Sequence, residues 1–238
     1  LMEVYVGTSG WLYDWNLGGN LDWYLINSGL NAVELNASFY RMPFKNQVLR
    51  WLRRSKKFNL RWSVKVHRSI THNYKLSDKS IKLFNSFKQL FSIMEDYIDF
   101  YLLQLPPTFK PYDNSLRRLN QFISSFSDVV NKLAVEFRDA SWFNDKYLKL
   151  LSDLGVTVVS IDSPLGTYIW SSNDIVYIRF HGRDIWYAYR YSHKELEDVA
   201  NNIINLKPKK VYAFFNNNHD MLDNARMFLK IINDLILK

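Results

Sequence analysis

Eight short runs rich in β-branched and aromatic residues punctuate this 238-residue chain, and seven of them close on polar residues that a buried strand does not normally carry. The runs are 3–7 (EVYVG), 31–36 (NAVELN), 61–67 (RWSVKVH), 98–105 (IDFYLLQL), 132–138 (KLAVEFR), 156–162 (VTVVSID), 175–181 (IVYIRFH) and 211–216 (VYAFFN). All are mostly apolar, as strands covered on both faces are. Helix-like stretches separate most of them, at 43–55, 77–95, 114–127, 142–154, 193–205 and 219–236, with a shorter one at 20–28. The alternation predicts an α/β fold, a single (β/α)8 TIM-like barrel over residues 1–238, with its functional groups at the carboxyl ends of the strands. Segment 163–174 holds Pro164 and Gly166 and is too short for a helix with its turns, so the sixth helix is expected to be reduced or missing.

The polar strand ends are Glu34 and Asn36, Lys65, Gln104, Glu136 and Arg138, Asp162, Arg179 and His181, and Asn216 with Asn217. Residues two apart on a strand share a face, so Glu34 with Asn36, Glu136 with Arg138, and Tyr177 with Arg179 and His181 form same-face groups. Buried charges normally pair or serve a site. The expectation is one shared cavity.

Composition narrows the chemistry. There is no cysteine, which excludes disulfides, thiolate metal sites and a cysteine nucleophile. That absence fits a cytoplasmic location, as does the lack of an apolar run long enough to span a bilayer. The net charge of +8 and pI of about 9.4 favour an anionic partner. The runs Arg53-Arg54-Ser55-Lys56-Lys57 and Lys207-Pro208-Lys209-Lys210 each precede a strand, where they complement helix dipoles. Arg41, Lys65, Arg68, Lys75, Arg138, Arg179, Arg183 and Arg190 lie nearer the strand ends and bear more on function. Aromatic residues make up 16% of the chain, and Trp11, Tyr13, Trp15, Phe39, Tyr40, Trp142, Trp186 and Tyr189 fall in the loops after strands. Such rings either stack on bases and sugars or cap the barrel.

The motifs resemble those of one family. Gly7-Thr8-Ser9-Gly10-Trp11, Val33-Glu34-Leu35-Asn36-Ala37-Ser38-Phe39-Tyr40-Arg41 and Thr71-His72 come first. Gln104-Leu105-Pro106-Pro107-Thr108-Phe109, Val135-Glu136-Phe137-Arg138 with Ser141-Trp142, Arg179-Phe180-His181-Gly182 and Phe215-Asn216-Asn217 follow. In this order, over nearly the whole chain, they resemble the DUF72 (YecE-like) proteins. The resemblance implies a TIM-like barrel and no settled activity.

Several chemistries fit the residues. Glu34 and Glu136 form a carboxylate pair suited to acid–base cleavage, or belong to ion pairs: Glu136 with Arg138 or Arg179, Glu34 with Lys65. Lys65 suits a Schiff base if desolvated and an anion-binding role if it stays charged. His181, with Arg179 and Lys65, could clamp a phosphate and donate a proton. His72, His181, Glu136, Asp162 and His219 are scattered metal candidates, without a compact ligand motif. No G-x-G-x-x-G or Walker A sequence is present, so a nucleotide cofactor is not expected. The first reading is a hydrolase or lyase acting on a phosphorylated or nucleic-acid substrate, DNA or RNA included. Glu34, Glu136, Lys65, His181 and Asp162 would carry the chemistry. Asn36, Tyr40, His72, Gln104, Arg138, Trp142, Arg179, Asn216 and Asn217 would bind the substrate. The alternatives are a non-catalytic binder of nucleic acid or a small anion, and a sugar-phosphate isomerase or aldolase.

Overall fold

The computed structural model describes residues 2–237. In chain order its strands and α-helices are β1 (Glu3–Thr8), α1 (Leu21–Asn27), β2 (Ala32–Leu35), α2 (Ala37–Tyr40), α3 (Lys45–Phe58), β3 (Arg61–Lys65), α4 (Asp78–Phe91), β4 (Ile98–Gln104), α5 (Asp113–Ser124), β5 (Leu133–Glu136), α6 (Asp145–Asp153), β6 (Thr157–Ser163), β7 (Gly166–Tyr168), β8 (Ile175–Phe180), α7 (His193–Asn205), β9 (Lys210–Phe215) and α8 (Met221–Ile236). Every predicted strand and helix is present, with ends shifted by a few residues.

The chain divides into two compact units: one runs to Glu34 and resumes at Val159, the other covers Leu35–Val158. In the first unit β1, β9, β8 and β6 lie side by side in parallel, with register Tyr5↔Tyr212, Tyr177↔Tyr212 and Ile161↔Arg179. Ser9 bridges to Glu34, which ties the end of β1 to β2. The approach is close: a Cβ on Gly7 would meet the Ala32 carbonyl oxygen at 2.3 Å. The core of this unit is aromatic. Phe180 stacks on Phe215 at 4.3 Å, and Phe228 of α8 packs against both at 5.2 and 5.9 Å.

The stretch after β6 is not helical. The chain turns at Pro164 and Gly166 and sends β7 back antiparallel to β6. Asn173 and Asp174, both at positive φ, then make a two-residue turn closed by the Ser172–Ile175 bridge, and β8 begins. The sixth helix is thus replaced by a hairpin.

In the second unit β3, β4 and β5 are parallel neighbours, and β5 pairs with Thr157 and Val158 of β6. Phe84 and Phe87 of α4 pack on Tyr101 of β4 at 5.5 and 6.3 Å, and Phe122 and Phe126 close the cluster. The aromatic content therefore serves packing first.

Some local expectations need correction. Helix α6 begins at Asp145, not at 142, because Asn144 supplies the cap by accepting from the Tyr147 amide. Ser141 sits in a short 3-10 turn capped by Asp139. Ser77 stands at the N-cap of α4 without a capping hydrogen bond, whereas Ser192 and Glu195 form a full capping box on α7. Lys56 and Lys57 occupy the last turn of α3, as a dipole-complementing run should, and Lys209 pairs with Asp174 at 2.7 Å. Among the described residues no helix is long and apolar enough to cross a membrane.

Candidate functional site

The polar residues singled out in the sequence stand at, or within a few positions of, the carboxyl ends of their strands. They divide between the two units.

The first unit holds two buried carboxylate–guanidinium systems. Glu34 accepts four hydrogen bonds: from Ser9 Oγ (2.6 Å) and Arg179 Nη2 (2.5 Å) on Oε1, and from Tyr177 OH (2.8 Å) and Arg179 Nε (3.0 Å) on Oε2. Glu34 and Arg179 are both wholly buried. Four donors match the lone-pair capacity of a carboxylate, which is how a buried charge is accommodated. Asp162, also wholly buried, is held by Arg183 Nη2 (2.9 Å), Tyr191 OH (2.7 Å) and Thr167 Oγ1 (2.6 Å). Burial, reinforced by the charge of Asp162, pushes the Tyr191 phenol far up, so it remains a donor. Arg183 reaches on to Glu195 at 3.4 Å, and Tyr189 donates to the same carboxylate at 2.6 Å. The hydrogen bond to Glu195 pushes the Tyr189 phenol up to about 12.

His181 is buried, with Trp186 and Tyr187 at ring distances of 5.2 and 5.7 Å. Asn216 continues β9, its amide donating to the Phe180 carbonyl. Asn217 is buried; its side-chain amide donates to the Tyr189 carbonyl and to Asn224 Oδ1, which ties β9 to the segment before α7. His219 pairs with Asp14 at 2.8 Å in a solvent-exposed position.

The second unit holds the basic cluster. Lys65 ends β3, is only 7% exposed, and places its ammonium 4.2 Å from the centre of the Phe39 ring. The edge of the same ring system meets His72 at 4.9 Å. His72 sits in a π-helical turn (Ser69–Asn73), with its Nδ1 2.9 Å from the buried Thr71 hydroxyl. Partial burial, and then the charges of Lys65, Arg68, Arg138 and Lys75, push the imidazole down to about 4. Glu136, wholly buried at the end of β5, accepts from Arg138 Nε. Gln104 is 7% exposed and donates to the Leu105 carbonyl. Asn36 precedes α2 with its Oδ1 buried and unpartnered, and Tyr40 ends α2 at 70% exposed.

Trp142 departs from expectation. It was expected to stack on a substrate, but it is wholly buried between Phe137 (4.1 Å) and Phe109 (6.0 Å) and donates its indole N–H to the Phe109 carbonyl. Its ring is committed to the core. The scattered metal candidates do not assemble either: among the described residues no group of three or more His, Cys, Asp or Glu is placed to hold an ion.

The sequence reading missed Ser9 and Tyr177 as partners of Glu34, and Thr167 and Tyr191 as partners of Asp162. Tyr177 was legible by its two-residue spacing from Arg179. Tyr191 and Thr167 carried no such signal.

The family model described as "Protein of unknown function DUF72" matches residues 5–236. The chain belongs to the DUF72 family. Among curated proteins, this DUF72 chain is similar to the UPF0759 protein YunF of Bacillus subtilis (strain 168), at 24% identity over 96% of this chain and 94% of that protein. Among solved structures it is similar to a DUF72 family protein (TM1631) from Thermotoga maritima MSB8. There the TM-score is 0.82 at 28% identity, over 98% of this chain and 100% of the other. It also shares its fold with the D-psicose 3-epimerase of Clostridium cellulolyticum H10, with a TM-score of 0.61 at 8% identity and 99% coverage of each chain. At that identity the likeness is one of fold alone. The fold is thus the TIM-barrel-like α/β class expected from the strand–helix alternation.

Proposed function

We propose that this protein is an enzyme, a hydrolase or lyase, acting on a phosphorylated substrate. Its anion-binding site would lie in the second unit, with Lys65, Arg68, Lys75 and Arg138 holding the phosphate and Glu136 and His72 exchanging protons. The observation that carries this reading is the nearly buried Lys65 ammonium 4.2 Å from the Phe39 ring, whose edge meets the half-buried His72 at 4.9 Å, where nearby positive charge and burial together push the imidazole down. Positive charge at a partly desolvated position favours an anion beside it. Arg138 supplies a fork suited to phosphate oxygens, and Lys65 a point charge. Tyr40, exposed and edge-on to Phe39 at 4.9 Å, offers a face for a sugar or base. The fold is shared with proteins such as D-psicose 3-epimerase, so a sugar is one carrier of that anion to be tried.

We assign different work to the other carboxylates. Glu34 and Asp162 are committed to Arg179 and Arg183, and their role is to hold those guanidiniums in place. His181, Asn216 and Asn217 remain our candidates for substrate contacts in the first unit, His181 through the aromatic wall it shares with Trp186 and Tyr187.

One observation favours a second reading, a binding protein without turnover: Glu136 is already paired with Arg138 and has no exposed surface. Glu136→Gln separates the two. The native protein is assayed against p-nitrophenyl phosphate, sugar phosphates and an oligonucleotide with an abasic site. If Glu136 handles a proton, the variant loses about 10²–10⁴-fold in turnover while its melting temperature stays near native. If Glu136 only balances Arg138, stability falls by about 3–5 kcal/mol and any activity persists below the melting point. Salt separates the substrates: affinity for a nucleic acid touching several phosphates falls steeply with salt, and affinity for a single phosphate does so far less.

A further inference from the structure

We infer that the outer face of α3, with the cleft at its amino end, is a docking site for single-stranded nucleic acid: phosphates lie along Arg50, Arg53 and Lys57, and a base enters the cleft beside Phe44. This surface shares no side chain with the anion site proposed above, and the inference stands without it.

The charge of α3 is one-sided. Its 14 residues include six cations and no acid, whereas every other described α-helix that carries charge has at least one acid. Compensation of the helix dipole explains Lys56 and Lys57 in the last turn, but not the rest. Lys45 is the first residue of the helix, where a cation opposes the dipole, and Arg50 and Arg53 lie in its middle. Arg50, Arg53 and Lys57 are exposed and stand three and four residues apart, so they share one stripe in which like charges repel. Among the described residues, Lys45, Arg50, Arg53, Lys56 and Lys57 form no ion pair. Glu95, on the segment Ser92–Tyr97 packed against α3, is taken by Lys132 at 2.9 Å. The inner face of the helix is fixed. Val48 and Ser55 are buried, the Ser55 hydroxyl accepts the Trp62 indole N–H at 2.7 Å, and Trp51 lies 5.7 Å from the Trp62 ring. The cationic stripe therefore faces outward on a helix that is already packed.

The cleft supplies the second half of the site. It has a volume of about 120 Å³ between α2 and α3, and Arg41, Met42, Pro43, Phe44 and Trp51 are among its walls. One water needs about 10–15 Å³ on that scale, so a flat ring has room. Phe44 is 63% exposed, and the Arg41 guanidinium lies 5.1 Å from the centre of its ring. An exposed aromatic face with a cation beside it, at the end of a cationic stripe, is the combination that holds single strands without reading their sequence. The recessed shape of the cleft favours this partner over other polyanions. A duplex keeps its bases stacked and has no free ring to place there. An anionic bilayer takes protruding apolar groups into itself and offers no ring to a cleft.

The test is fluorescence anisotropy of a labelled oligothymidylate of about 20 nucleotides with the whole protein, from about 50 to 300 mM KCl. The expected plot of log affinity against log salt has a slope of about −3, as four phosphates met by Arg41, Arg50, Arg53 and Lys57 require. The triple variant Arg50→Gln, Arg53→Gln, Lys57→Gln should fall to a slope of about −1 and bind about a hundredfold more weakly at 0.1 M salt. Its melting temperature should not drop, because like charges have been removed from an exposed stripe. The triple variant Lys82→Gln, Lys146→Gln, Lys230→Gln removes the same charge from exposed positions elsewhere and should keep native affinity and slope. Phe44→Ala should bind about 5- to 150-fold more weakly, with the slope unchanged, as loss of one stacked base predicts. A native protein that does not bind the oligonucleotide at about 50 mM KCl overturns the inference. So does an equal loss in the two triple variants, which would make the effect one of net charge, or an unchanged affinity in Phe44→Ala. Tighter binding to a duplex of the same length, or to phosphatidylserine vesicles that displace the oligonucleotide, overturns the choice of partner.

Discussion

Replacing Arg179 with Met tests whether the Glu34 system is an electrostatic unit or incidental packing. The guanidinium donates to both oxygens of Glu34, at 2.5 and 3.0 Å, and neither side chain has exposed surface. Met keeps much of the length and apolar bulk of Arg but donates nothing. Glu34 then retains only Ser9 and Tyr177 as partners among the four contacts described. A buried carboxylate stripped of its counter-charge costs about 3–5 kcal/mol, and the pair has no solvent screening to soften the loss. For a chain of this length that is a fall of about 6–20 °C in melting temperature. Arg179→Met, Glu34→Met and the double variant would be compared by urea unfolding and thermal melting. Each single variant should lose the full amount. The double variant should recover at least about 2 kcal/mol relative to either, since apolar groups can replace a buried pair at small cost. The reasoning is refuted if Arg179→Met stays within about 1 kcal/mol of native, or if the two single losses simply add.

Three further outcomes follow from the same structure. Gly7→Ala should destabilise the first unit by about 1–3 kcal/mol or more in denaturant unfolding, since a Cβ at 2.3 Å from the Ala32 carbonyl oxygen forces β1 and β2 apart. The Tyr24 phenol, fully buried between the Thr8 amide and the Ala32 carbonyl, is pushed up to about 12. Its folded value lies above the ordinary 10, so its contribution is present below pH 10 and is lost as pH rises towards 12; absorbance titration of Tyr24→Phe should show one late-titrating tyrosine fewer than the native protein. His72, held down to about 4, contributes stability that is full above about pH 6.5 and lost as pH falls towards 4. Denaturant unfolding at pH 7 and at pH 4.5 should therefore show a larger acid loss in the native protein than in His72→Gln.

Much of the fold was legible because its signals are local. Apolar runs rich in β-branched and aromatic residues marked each strand, helix-like stretches marked the helices between them, and Pro164 with Gly166 marked the missing sixth helix. The placement of polar residues at strand ends was legible for the same reason, since an apolar run that closes on charge is unusual anywhere else. Trp142 shows where local reading stops. A tryptophan in a loop looks the same in sequence whether it faces solvent or, as here, lies between Phe137 and Phe109.

The sequence by itself determined the strand–helix alternation, the strand ends that carry polar groups and the absence of cysteine chemistry, because each depends on residue types a few positions apart. Only the tertiary structure decided the pairing. Glu34 takes its guanidinium from Arg179, 145 residues away, and Asp162 its phenol from Tyr191, 29 residues away. It also decided that His72 is partly buried and feels the charges of Lys65, Arg68, Lys75 and Arg138, which come from three stretches of chain. Charge–charge energies fall with distance in space, not along the chain, so the partners and the protonation of these groups exist only once the strands have found their register.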